Sequence, residues 1–218
     1  GQVVKARVAQ IDRIMEARER GEDVITGVPT GVSVLDRRLG GYQPGIVTIV
    51  AARPGMGKSS LMMAAADATT ALRVGSFVFS NDYRNLVMLA KEIATMDVIS
   101  GGRIELGIGA GWMKEEFDAL GVGWERRGAR NDEYVAAMRA LWAGPHAEFH
   151  GEFVDFAPMM TWPKPVQKPH PPIIVGGAFP WGARRAIRYG NGWMPHRVRQ
   201  HYADVAALVP QFQRMVEE

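Results

Sequence analysis

Five short apolar runs alternate along this chain with stretches of helical period: IVTIVAA (46–52), RVGSFVFS (73–80), RIELGIGA (103–110), IIVGG (173–177) and GWMP (192–195). Runs that are apolar at successive positions suit strands covered on both faces, which are strands of parallel sheets. Helical patterning falls between and after them, at 58–70, 86–99, 130–142, 181–189 and 203–216. Strand alternating with helix predicts an α/β fold with a parallel sheet, open or closed, joined by right-handed crossovers. AEFHGEFVDF (147–156) alternates like a hairpin turning at His150-Gly151. The proline-rich PMMTWPKPVQKPHPP (158–172) reads as a surface connection.

Ahead of the first apolar run, Val4, Val8, Ile11 and Met15 follow a helical period. VSVLDRRLGG (32–41) then reads as a short helix stopped by glycine. The chain has 218 residues, enough for one good-sized core with an appended arm. A net charge of +3 does not demand a nucleic acid partner, and the arginines at 184, 185, 188, 197 and 199 read as a solvated face. No cysteine is present, which excludes disulfides and thiolate metal sites. The five histidines are not read as a zinc site. No apolar run reaches the roughly 18 residues of a membrane span, so no membrane partner is expected and the chain reads as cytoplasmic.

The sharpest local motif is ARPGMGKS (52–59), lying between an apolar run and a helix. Glycines at 55 and 57 would let backbone N–H groups surround an anion at the positive end of that helix. Lys58 would add a mobile positive charge, and the Ser59 hydroxyl a ligand for magnesium. Arg53, Pro54, Gly55, Met56, Gly57, Lys58, Ser59 and Ser60 are therefore the candidate nucleotide- or phosphate-binding residues.

TGVPTGVSVLDRRLGGYQPGIVTIVAARPGMGKSSL resembles the motor domain of DnaB-type replicative helicases, a likeness covering residues 2 to about 66. The resemblance implies magnesium and ATP at the loop, and a catalytic carboxylate after the next strand. Asp82, in FSND (79–82), stands there as the candidate base. No second carboxylate strand or arginine finger follows, which implies weak or absent hydrolysis and no helicase activity.

From about residue 64 to the C-terminus the chain resembles the luciferase-like monooxygenase superfamily, especially its deazaflavin-dependent branch. RVGSFVFSNDYRN, RIELGIGAGWMKEEFDALG, RRGARNDEYVAAMRALW, PKPVQKPHPPIIVGG and YGNGWMP carry that likeness. It implies a (β/α) barrel with flavin at the C-terminal ends of the strands. The residues matching cofactor positions are Ser80, Asn81 and Asp82, then Gly109, Ala110, Gly111 and Trp112. Gly176, Gly177 and Ala178, ahead of Arg184 and Arg185, match the cofactor-phosphate site.

The expectation is thus a chimera: a helical arm (1–22), a helicase-like P-loop segment (23–70) and a partial luciferase-like barrel (71–218), sharing one continuous sheet. Its leading function is nucleotide or phosphate binding. The alternatives are an oxidoreductase fragment using deazaflavin or FMN, and an inert scaffold. An incomplete barrel leaves strand edges unpaired, so a homodimer through a sheet edge or the N-terminal helix is expected.

Overall fold

The apolar runs form strands, but one is interrupted and one lies outside view. The computed structural model describes residues 2–21, 24–43, 58–195 and 203–217. The run at 46–52, and with it the expected pairing beside 73–80, lies outside the described residues. The chain divides into two units, Gly1–Leu72 and Arg73–Glu218.

The first unit holds helices α1 (Gln2–Glu19), α2 (Ser33–Leu39) and α3 (Lys58–Asp67). Gly40 closes α2 in the left-handed conformation, with φ at 68°, and its N–H bonds the Asp36 carbonyl. At the start of α2 the buried Asp36 carboxylate accepts the Thr30 N–H at 2.7 Å. Gly31, at φ 79°, brings this turn onto α3, where a Cβ would stand 2.6 Å from the Ala64 carbonyl oxygen. Val8, Ile11 and Met15 of α1 are exposed.

The second unit is a parallel sheet with helices packed on one face. Its strands are β1 (Val74–Gly75), β2 (Phe79–Ser80), β3 (Ile104–Gly109), β6 (Ile173–Gly177) and β7 (Gly192–Pro195). The order is β1–β3–β6–β7, with β2 also beside β3. β1 and β2 are two pieces of the expected 73–80 strand. Val74 pairs with Ile104 but Phe79 with Ile108, so one extra residue bulges between them. The Ser76 hydroxyl donates to the Gly107 carbonyl at 2.8 Å inside that bulge. Only glycine fits at 107, since a Cβ would fall 1.9 Å from the Ser76 carbonyl oxygen.

Strand alternation divides the sheet into two faces. Leu106, Ile108, Ile173 and Val175 point to the helical face and are fully or almost fully buried. They pack against Leu89 and Ile93 of α4 (Leu86–Ile99) and against Val135, Met138 and Leu141 of α6 (Arg127–Ala143). Each such side chain contributes roughly 1.5–3 kcal/mol relative to exposure. The Trp142 indole donates to the Ala90 carbonyl at 2.9 Å, tying α6 to α4. The other face carries glycines at 107, 109 and 176. Between β3 and β6 lie α5 (Lys114–Leu120), α6 and an antiparallel hairpin, β4 (Ala147–His150) and β5 (Asp155–Met159). After β6 comes α7 (Trp181–Tyr189), and after β7 α8 (Ala203–Ala206) and α9 (Val209–Glu217).

Candidate functional site

The C-terminal ends of β2, β3 and β6 lie side by side. Ser80 pairs with Gly109, and Ile108 with Val175, which sets Gly109 next to Gly176. The glycines let a side chain lie flat across the strand ends. A Cβ at Gly109 or Gly176 would come within 3.0 or 2.8 Å of the Val78 methyls, so Val78 rests over both positions. Gly111, at φ 73°, turns the loop after β3 back toward Ser80; a Cβ there would stand 3.0 Å from the Ser80 hydroxyl. Trp112, the next residue, is 69% exposed.

Asn81 begins the short 3-10 turn Asn81–Tyr83 and is 1% exposed. Its amide nitrogen donates to the Asn131 side-chain oxygen at 3.0 Å. Asn131 in turn donates to the Tyr189 hydroxyl at 3.1 Å, and Tyr189 donates to Asp132 at 3.0 Å. Arg185 donates to the same Asp132 oxygen at 2.7 Å, and Arg188 pairs with its other oxygen. Burial, then the Asp132 charge, pushes the Tyr189 hydroxyl far above the ordinary tyrosine range. This chain of bonds ends in an open position, because the Asn81 side-chain oxygen is buried with no partner among the described residues. The Ser80 hydroxyl is also buried without a bond of normal geometry, although it lies near enough to Tyr83 to lower that hydroxyl's pKa slightly.

Asp82 is placed differently. Its side chain is 1% exposed, and both carboxylate oxygens accept from Arg130, at 2.6 and 3.2 Å. Its hydrogen bond to Asp82 raises the Arg130 guanidinium further. Nearby, Tyr83 stacks edge-on to Phe117, Phe117 to Trp124, and Arg127 lies 3.7 Å over Trp124. Arg127 also donates to the Gly111 carbonyl at 3.3 Å, so this ladder supports the loop after β3. The Tyr83 hydroxyl donates to Glu116 at 2.5 Å, and partial burial followed by that bond pushes its pKa up to about 12.

The sequence-derived site residues therefore separate. Ser80, Asn81, Gly109, Ala110, Gly111, Gly176, Gly177 and Ala178 gather at one edge of the sheet. Arg53, Pro54, Gly55, Met56 and Gly57 lie outside the described residues, while Lys58, Ser59 and Ser60 open α3. Arg185 is held by Asp132, and Arg184 stacks on Trp181 at 5.2 Å, with no carboxylate partner among the described residues. Arg130, Asn131, Asp132 and Tyr189 were not among the candidates. Asn131 could have been found, because it shares a helical stripe with Val135, Met138 and Trp142, where a polar residue is out of place.

The model of the luciferase-like monooxygenase family matches residues 49–218. An uncharacterized protein of Mycobacterium tuberculosis is 43% identical over 136 residues, covering 60% of this chain and 46% of that protein. The FMNH(2)-dependent dimethylsulfone monooxygenase of Pseudomonas putida is 39% identical over 94 residues, or 42% of this chain and 26% of that protein. Among solved structures, monooxygenase RslO1 from Streptomyces bottropensis superposes with a TM-score of 0.63 at 30% identity, covering 72% of this chain and 48% of that one. The chain thus spans about half the length of the relatives it matches, or less.

These findings correct the leading functional expectation. The family match runs through residues 52–59 themselves, the stretch assigned to a helicase P-loop binding ATP and magnesium. A buried strand, a glycine turn and a helix start occur in every βα unit of a barrel, so that context does not single out a nucleotide pocket. The Walker A, helicase and chimera readings have no support, and the role of Asp82 as base for ATP hydrolysis falls with them. The sheet is the curled half-barrel of a (β/α) fold. No described helix is long and apolar enough to cross a membrane. By a family match over more than three-quarters of its length and by this architecture, the chain belongs to the luciferase-like monooxygenase family.

Proposed function

We propose that this chain forms the flavin-binding half of an oxidoreductase, with FMN or a deazaflavin seated at the C-terminal ends of β2, β3 and β6. The observation that carries this reading is the buried, unpartnered oxygen of Asn81, beside the equally buried Ser80 hydroxyl. Leaving a buried acceptor unsatisfied costs about 1–3 kcal/mol, and a ligand donor would remove that cost. The residues present fit a flat ring carrying a phosphate. Val78 fills the space that glycines 109 and 176 leave against the backbone, and so gives the strand ends a flat apolar surface for the ring.

The N-terminus of α7, preceded by Gly176, Gly177 and Ala178, suits the phosphate, and Arg184, stacked on Trp181 and without a carboxylate partner among the described residues, lies in its first turns. When bound, the cofactor supplies two-electron reduction, which no side chain offers. The protein's own part is to bind, orient and shield. Asn81 is held in one orientation by Asn131 and Tyr189, so its oxygen is fixed before the ligand arrives. The relatives' names support the choice of cofactor: the Pseudomonas enzyme is FMNH(2)-dependent, and a coenzyme F420-dependent reductase from Methanopyrus kandleri shares the fold, with a TM-score of 0.55 at 22% identity. Fluorescence titration with FMN, and separately with a deazaflavin, tests the reading. Saturable binding of either, weakened in Asn81→Leu, supports it; indifference to both ends it.

The same reading includes a homodimer through a sheet edge or α1. Val8, Ile11 and Met15 on α1 are 51%, 53% and 59% exposed, an apolar row that a second copy would cover. Light scattering should give twice the chain mass, and a monomer at micromolar concentration would remove the proposal.

A further inference from the structure

At the end of the sheet away from Asn81, two adjoining cavities of about 370 and 430 Å³ form one shallow groove. Both are lined by Arg139 of α6 and by Lys168, Pro169 and His170, which lead into β6. Arg188 of α7 borders one cavity and Trp142 the other. Among the described residues, no aspartate or glutamate lines either cavity.

Arg188 is paired with Asp132, but the other cations of the groove are not compensated in this way. Arg139 has no ion-pair partner among the described residues. Among the described residues Lys168 donates only to the Pro165 carbonyl, at 3.0 Å. Lys164 next to it donates to the Leu141 carbonyl at 2.6 Å and to the Thr161 hydroxyl at 3.4 Å. Burial, then repulsion from Lys168, lowers the Lys164 pKa, so the two ammonium groups feel each other. His170 is tied through Nδ1 to the Pro171 carbonyl at 2.9 Å. A carbonyl only accepts, so Nδ1 carries a proton, and Nε2 has no partner among the described residues.

We propose that this groove is a second binding site, for a compact multivalent anion of the phosphate class. Arg139 and Lys168, two cations without a carboxylate partner among the described residues, set a positive potential in a concave surface. Arg139 offers the planar fork that matches phosphate oxygens in pairs, and Lys168 a point charge beside it. The groove meets the Asn81 network at Tyr189 and Arg188, but Arg139 and Lys168, which carry the proposal, are not part of that network, so the two sites can be tested separately.

Calorimetric titration of the intact chain with inorganic pyrophosphate tests it. The result expected is one saturable site per chain, unchanged by excess FMN. Arg139→Glu and Lys168→Glu should each weaken it by about tenfold or more, since each removes a charge-assisted contact. Both residues are exposed, so the melting temperature should not move. Lys91→Glu, an exposed lysine of α4, controls for overall charge and should change affinity little. No binding, equal weakening by all three reversals, or displacement by FMN would overturn the proposal.

Discussion

Two buried polar clusters sit at opposite ends of α4, and they are finished differently. At its C-terminal end Asp97 is fully buried, and its two oxygens accept from the Gln167 side-chain and backbone nitrogens at 2.7 and 2.9 Å. The Gln167 amide also donates to the Ile104 carbonyl at 2.8 Å. The cluster is closed, and it pins the proline-rich segment 160–172 to the sheet. At the other end Asn81 is just as buried but keeps one oxygen without a partner among the described residues. A closed cluster serves the fold. An open one gives up stability, and its place at the strand ends is where a ligand would complete it.

Breaking each end should therefore give different signatures. The largest effect is expected from Arg130→Met, which strands the Asp82 carboxylate in the interior. Removing one partner of a buried pair costs about 3–5 kcal/mol, measured as a lower urea midpoint at unchanged slope. Asp97→Ala comes next, at about 2–3 kcal/mol, because the Gln167 donors lose their acceptor; flavin affinity should stay the same. Asn81→Ala reverses that pattern. It should cost less, about 1–2 kcal/mol in stability, since the Asn131 oxygen loses its donor but an orphaned oxygen is removed with it, while flavin binding weakens about tenfold. If Asp97→Ala and Asn81→Ala affect flavin equally, the distinction between the two clusters is lost.

Two titrations give smaller effects. The Tyr83 hydroxyl, pushed up to about 12, should ionise above an ordinary tyrosine by ultraviolet absorbance, and Glu116→Gln should bring it down. The protonated form is the one the fold favours. The contribution is thus whole below the ordinary tyrosine value of about 10 and is lost as pH rises from there to about 12. His150 is the weakest case, since it is exposed on the β4–β5 hairpin. Its hydrogen bond to Asp155, at 2.6 Å, raises its pKa, so any stabilisation is present at low pH and lost on passing above the raised value. Proton resonance titration should show the rise in the intact chain and its loss in Asp155→Asn.

Much of the fold was legible in the sequence. The runs at 173–177 and 192–195 and the helix at 86–99 appear with those bounds, and the run at 103–110 as Ile104–Gly109. The run at 73–80 read as one strand, because a one-residue bulge leaves no mark on an apolar pattern. The closing helix breaks after Ala206 and restarts at Val209. Pro210 lies in the first turn of that new helix, where its missing N–H is no loss, and this was the signal overlooked.

The site was half legible. Ser80, Asn81 and the glycines came from a family likeness, but the network from Asn131 through Tyr189 to Asp132 joins residues about 50 positions apart. Folding brings them together, by setting the Asn81 turn on α6 and the α7 side chains Arg185 and Tyr189 on Asp132. ARPGMGKS misled for the opposite reason, since an apolar run, glycines and a helical pattern in that order are common to sequences of both fold types.

The central claim is that the open end of this network belongs to a flavin site. Backbone and side-chain amide resonances, followed while FMN or a deazaflavin is added, test it most directly. Shifts should concentrate at Asn81, Gly109, Gly111 and Gly176–Ala178, with Asp97 and Gln167 unmoved. Shifts confined to other residues, or none at saturating cofactor, would contradict it.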